Sequence, residues 1–262
     1  MYLSKLYIVI FIVLTHFVIV GLSGCSQDSK IILNISAGAG LTDAITEINE
    51  IYMEQNDGIE ILNNFAAAGD LQVQIENGAP ADIFISAAAR EMNALEKQGL
   101  IIPETRRNIV GNKLVLITHK ESTLAISEFA GLLDDQVALF AMGDPEFVPA
   151  GFYGLQALDL LGISYKELQP KIIFGNNVRQ VLNYVENKSV DAGIVYLTDV
   201  LSSRSVKVLA TAPESINANI LFPAAIITSS KNLEAAIEYN NFLISTEAVN
   251  IFIKYGYTII DN

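Results

Sequence analysis

Ile31-Ile32-Leu33-Asn34-Ile35-Ser36-Ala37-Gly38-Ala39-Gly40-Leu41-Thr42-Asp43-Ala44 holds most of what the chain says about its architecture. Residues 31–36 form a short, largely apolar run of the kind that makes a buried strand. Four small residues follow, and then Leu41, Ala44, Ile45, Ile48 and Ile51 recur at helical spacing. A strand that turns through small residues directly into a helix is the first half of a βαβ unit. The pattern repeats on the C-terminal side. Residues 59–65 read as the next strand, Leu71 and Ile75 mark a short helix, residues 83–86 a third strand, and Met92 with Leu95 a third helix that stops near Gly99. Short strands separated by helices imply mainly parallel sheets covered on both faces, so the fold class is α/β.

A second alternating series starts at residues 113–118. Residues 137–142, 171–174 and 191–195 read as strands, Leu155, Leu158 and Leu161 as one helix, and Val178, Val181, Leu182 and Val185 as another. Residues 220–228 form a further apolar strand, and residues 232–255 are mostly helical. We expect two lobes, with residues 113–118 and 220–228 crossing between them as hinge strands. Residues 25–112 and 223–262 would build the first lobe and residues 113–222 the second.

The chain has 262 residues, 51% of them apolar and 17% charged, which is ample for a buried core. Sixteen Lys and Arg against 29 Asp and Glu give a net charge of −13, which speaks against a nucleic-acid surface. One cysteine and two histidines leave too little for a disulfide framework or a zinc cluster. Neither a metal nor a cofactor is expected. At the N-terminus Lys5 precedes an apolar run that extends to Val20 and closes in Leu22-Ser23-Gly24-Cys25. Residues 1–24 read as an export signal. Its end resembles the processing site of bacterial lipoproteins, in which Cys25 would be acylated and become the new N-terminus, anchored in the bilayer outside the cytoplasmic membrane; the other reading is an uncleaved membrane anchor.

The strand-to-helix loops are the places where chemistry can sit. Gly38 and Gly40 imitate the first two glycines of a dinucleotide fingerprint, but Asp43 occupies the third position, where a carboxylate opposes both close helix packing and a pyrophosphate. A loop that offers helix-start amides to an oxyanion fits better. Phe65-Ala66-Ala67-Ala68-Gly69-Asp70, Gly143-Asp144-Pro145-Glu146-Phe147-Val148-Pro149-Ala150-Gly151 and Phe174-Gly175-Asn176-Asn177-Val178 are three more such loops. All four would lie at the carboxyl ends of parallel strands, where open α/β sheets bind ligands.

Leu41-Thr42-Asp43-Ala44, residues 74–86, residues 111–116, residues 143–151, Asn177-Val178-Arg179 and Gly193-Ile194-Val195-Tyr196, in this order, resemble the periplasmic molybdate-binding proteins of ABC importers. The resemblance covers nearly all of the chain after Cys25. It implies a two-lobed class II solute-binding fold that closes over molybdate or tungstate and hands it to a membrane permease, as a monomer. It places anion donors at Gly40 and Ala68 in the first lobe and at Ala150, Val178 and Tyr196 in the second, the last through its hydroxyl. Two positions depart from the family, which typically carries serine where this chain has Gly40 and Ala68. Ser36, Ser86, Thr42 or water could compensate for the lost hydroxyls. Asp70, in a first helical turn, would sit near a bound dianion or simply favour the helix dipole. Another anion or a small organic acid is the alternative ligand. A nucleotide-binding or hydrolytic α/β enzyme is the alternative class, and would require a nucleophile, base or metal in the cleft. Asp82 reads as a turn hydrogen-bonder, His119 as a surface residue, and Arg179 as the partner of an acidic group or a residue at the cleft entrance.

Overall fold

The computed structural model describes residues 30–260, so the segment read as an export signal, and Cys25 with it, lies outside the described residues. Among the described residues ten strands form two five-stranded sheets. Strands β1 (Ile31–Gly38), β2 (Ile59–Ala66), β3 (Ile83–Ile85), β4 (Arg107–Gly111) and β10 (Leu221–Ile226) make the first sheet, in the order β2-β1-β3-β10-β4. Strands β5 (Leu114–His119), β6 (Phe140–Gly143), β7 (Ile172–Gly175), β8 (Ala192–Tyr196) and β9 (Val206–Thr211) make the second, in the order β7-β6-β8-β5-β9. The chain is a two-lobed α/β protein.

Register explains why the loops gather. β1 and β2 pair in parallel from Ile31 with Ile59 to Gly38 with Ala66, so both strands end at the same level. The helices that follow them, α1 (Thr42–Gln55, entered through a 3-10 turn Ala39–Leu41) and α2 (Ala68–Glu76), therefore start side by side. In the second lobe β6 and β7 run level to Gly143 and Gly175. Their helices, α4 (Pro149–Leu160) and, after the short α5 (Tyr165–Leu168), α6 (Val178–Glu186), likewise begin next to each other. The third first-lobe helix, α3 (Ala89–Lys97), follows β3.

Each sheet is mainly parallel, as the strand-helix alternation suggested, with one reversed strand. β10 runs antiparallel to β3 and β4, and β5 antiparallel to β8 and β9. Each of these strands enters its sheet from the edge that faces the other lobe, as a chain arriving from there must, and so runs against its parallel neighbours. The hinge strands expected at residues 113–118 and 220–228 lie within one sheet each. The chain instead changes sheet at Asn112-Lys113 and over residues 212–220, around the short helix Glu214–Asn217. Side chains pin these crossings: Asn112 donates to the Thr198 hydroxyl at 2.9 Å, and Asn217 accepts from the Leu114 amide at 2.9 Å while donating to the Ala212 carbonyl at 2.8 Å. The strand expected from residue 137 begins only at Phe140. The C-terminal helices Leu233–Phe242 and Thr246–Lys254 return to the first lobe, where Lys254 and the Tyr255 hydroxyl bind Glu47 at 2.6 and 2.8 Å. Among the described residues no helix is long and apolar enough to cross a membrane.

Candidate functional site

Gly40, Ala68, Ala150, Val178 and Tyr196 all line one small, tightly closed cavity between the lobes. Its other walls are Gly38, Ala39, Ala67 and Ala87 from the first lobe and Val148, Pro149 and Asn177 from the second, so no charged side chain lines it. The backbone determines its chemistry. Ala68 and Val178 are the first residues of α2 and α6, Ala150 the second of α4, and Gly40 the second of the 3-10 turn. The first amides of a helix have no carbonyl one turn back to bind, and buried N–H groups need an acceptor. The capping residues do not supply it. Gly38, Ala67 and Val148 have no side chain in a capping hydrogen bond. Asn177 does cap, but its Oδ1 takes the Gln180 amide at 2.9 Å and leaves that of Val178. All four residues are buried. The cavity wall thus carries helix-start peptides from both lobes and no cation, an arrangement suited to a small desolvated anion.

Tyr196 behaves differently from the four amides. Its hydroxyl donates across the cleft to the Ala87 carbonyl at 3.1 Å, so its one proton has a partner in the other lobe, and donation to a ligand would take that proton from Ala87. Burial, reinforced by Tyr153, Glu91 and Asp199, raises its pKa far above the ordinary phenol range and keeps that proton on. Its backbone is also held, because its amide donates to Asp199 Oδ2 at 3.1 Å. Burial pushes the Asp199 carboxyl up to about 7, against the pull of the Arg179 guanidinium 3.1 Å away and of that amide.

Arg179 finds the acidic partners its position called for: besides Asp199 it meets Asp43 of the first lobe at 2.6 Å. Asp82 accepts from the Asn34 amide at 2.8 Å and the Ser230 hydroxyl at 2.6 Å, as a turn residue should. His119 ends β5 away from the cavity, and a surface cleft beside it carries a Lys188–Glu121 pair at 2.7 Å. None of the side chains considered as substitutes for the lost hydroxyls reaches the cavity wall. Thr42 donates to the Ala39 carbonyl at 2.7 Å, and the Ser86 hydroxyl accepts from the Ala88 amide at 3.2 Å. Asp70 lies at the third position of α2, and burial together with Asp144 of the second lobe raises its pKa.

Several residues that shape the site carry no sequence signal. Tyr257 donates to the Gly40 carbonyl at 2.7 Å and so orients the peptide that offers the Gly40 region to the cavity. Arg90, on α3, donates to the Pro145 and Glu146 carbonyls of the second lobe. Asp199 fixes Tyr196. The first two contacts join elements distant in the chain, which local pattern cannot reveal.

A two-lobed chain with a small uncharged cavity ringed by helix starts has the build of a solute receptor. The sequence profile of the bacterial extracellular solute-binding proteins matches residues 33–258, and this chain belongs to that family. It is 37% identical to the putative ABC transporter substrate-binding lipoprotein YvgL of Bacillus subtilis, over 97% of this chain and 98% of that one. It is 35% identical to the molybdate-binding protein ModA of Escherichia coli, over 87% and 89%. The substrate-binding domain of a putative molybdenum ABC transporter from Clostridium difficile superposes with a TM-score of 0.67 at 35% identity, covering 88% of this chain and 99% of that one. The periplasmic molybdate-binding protein of Azotobacter vinelandii shares the fold, with a TM-score of 0.79 at 24% identity over 87% and 100% of the two chains.

Proposed function

We propose that this chain is the extracytoplasmic receptor of an ABC importer, capturing a tetrahedral oxyanion, molybdate or tungstate, by closure of its lobes and passing it to a permease. The observation that carries this reading is that four residues at helix starts, two from each lobe, line one cavity without a charged side chain. Donors split between lobes reach one ion together only when the cleft is shut, so the ion favours the closed state by its differential affinity. The molybdate-binding relatives agree with this chemistry. A thermal-shift panel of molybdate, tungstate, sulfate, phosphate and small carboxylates tests it. A ligand at 100 times its Kd adds about 2.7 kcal/mol, which for a chain of this size raises Tm by roughly 5–10 °C. Molybdate and tungstate should give that rise; a rise only with a carboxylate or another anion would reassign the ligand.

Asp70 should oppose binding. Its pKa is raised with the lobes together, so the ionised form disfavours closure and the penalty grows as pH rises through that pKa. Asp70→Asn is expected to tighten binding at pH 7.5 by about two- to fivefold, the scale of a partly exposed charge contact, and to flatten the pH dependence over the range in which the Asp70 carboxyl ionises. Calorimetric titration of both proteins checks this; equal affinities and pH profiles would show that the Asp70 charge does not act on the ion.

The anchor at Cys25 is the other part of the proposal, supported by the lipoprotein relative. Cys25→Ala should leave the protein in the soluble extracytoplasmic fraction or as an unprocessed precursor. Normal membrane retention of a correctly shortened form would contradict it.

A further inference from the structure

Three consecutive carbonyls of the second lobe, those of residues 145–147, are all taken by donors of the first. Arg90 Nη1 donates to the Pro145 carbonyl and Nη2 to the Glu146 carbonyl, each at 2.9 Å, and the Gly69 amide donates to the Phe147 carbonyl at 2.9 Å. The Arg90 side chain is fixed in this orientation, because its Nε and Nη2 both bind Oε1 of the fully buried Glu91 and its guanidinium lies 4.5 Å from the centre of the Phe152 ring. Gly69 leaves no alternative geometry. A Cβ there would stand 2.6 Å from the Phe147 oxygen and 2.7 Å from its Cα, both backbone atoms that cannot swing aside.

Resting on the ligand reading above, we propose that Gly69 and Arg90 with residues 145–147 form a closure seam that positions two of the ion's donors, making both residues determinants of affinity without touching the ion. Two connections link the seam to the cavity. Ala68 and Gly69 are successive residues of one helix start; Ala68 lines the cavity, and the Gly69 amide binds the other lobe. The captured loop runs straight into α4, where Ala150 lies, and it is stiff: the Phe147 and Val148 amides fold back on the Asp144 carbonyl, and a Cβ at Gly151 would lie 2.0 Å from the Gly143 oxygen. Seating residues 145–147 therefore sets the Ala150 amide relative to that of Ala68.

Gly69→Ala tests the seam, with Gly58→Ala as control, since a Cβ at Gly58 meets nothing within 4 Å. Ala is the better helix former, so α2 itself should not suffer. Inter-lobe distance distributions, with and without saturating molybdate, and the dissociation rate are the readouts. Gly69→Ala is expected to lose the shortest-distance population and to release molybdate at least tenfold faster, with ligand-free thermal unfolding unchanged. Arg90→Lys, which keeps a cation beside Glu91 but cannot span two carbonyls, should fall between the two. If the wild-type protein answers no anion, the ligand reading fails, and the seam is then judged on the ligand-free distances alone. A Gly69→Ala protein that retains the shortest distances, or a wild-type protein that never shows them, overturns the seam.

Discussion

Replacing Gly40 and Ala68 together by serine is expected to tighten binding of molybdate and tungstate by at least tenfold. Each hydroxyl would add a hydrogen bond to a charged group, about 1.5–3 kcal/mol, so the pair has a ceiling of roughly 10² to 10⁴ in affinity. The backbone admits a Cβ at both positions. A Cβ at Gly40 would meet Val178 Cγ1 at 3.5 Å and Tyr196 Cδ2 at 3.6 Å, ordinary contacts, and Ala68 already carries a Cβ in the wall. The native side chains nearest in type do not substitute, because Thr42 and Ser86 are bonded elsewhere and Ser36 is not in the wall. The present chain should accordingly hold these ions more weakly than a serine-bearing relative. Titration of the natural and doubly substituted proteins measures the difference; unchanged affinity would show that these two positions do not carry the site.

Val178→Pro should have an effect of comparable size in the opposite direction. Proline at the first helical position costs the helix little, because its missing N–H has no intrahelical partner. The preceding residue is already compatible, with Asn177 at φ −158° and ψ 170° in the extended region that proline demands of its neighbour. The substitution thus deletes one amide donor while preserving α6. Loss of a charge-assisted bond of about 1.5–3 kcal/mol weakens binding by roughly 10- to 150-fold, before any steric effect of the ring. Thermal unfolding of the ligand-free protein should change little, whereas affinity falls. Unaltered affinity would show that the Val178 amide does not face the ion.

The contrast between these two variants shows which parts of the site the sequence exposes. β1, its small-residue loop and α1 are legible because a buried apolar run, four small residues and a 3.6-residue repeat stand in succession. The second-lobe loop is legible for a similar reason, through Asp144-Pro145 and the glycines around it. β4 and β9 are not. β9 is an edge strand whose residues are mostly half-buried or exposed, and β4 opens with Arg107 and Asn108, so neither shows the alternation that marks a strand. The mixed direction of the sheets is hidden too, because it follows from where the chain re-enters each lobe. The donors pose a harder problem: Gly40, Ala68, Ala150 and Val178 would act through backbone amides, and nothing in a Gly, Ala or Val side chain announces that. Only the family resemblance singles them out, and the structure places all four in the wall of one cavity. Tyr257, 217 residues from the Gly40 carbonyl it binds, has no local signature at all.

The most direct test of the central claim, that helix-start amides from both lobes hold one oxyanion, is the anomalous scattering of tungsten in crystals grown with tungstate. A single strong peak is expected between Gly40, Ala68, Ala150 and Val178, with oxygens about 2.7–3.1 Å from those four amide nitrogens. A peak elsewhere, or an ion in the cavity bound by side chains with the amides beyond hydrogen-bond reach, would contradict it.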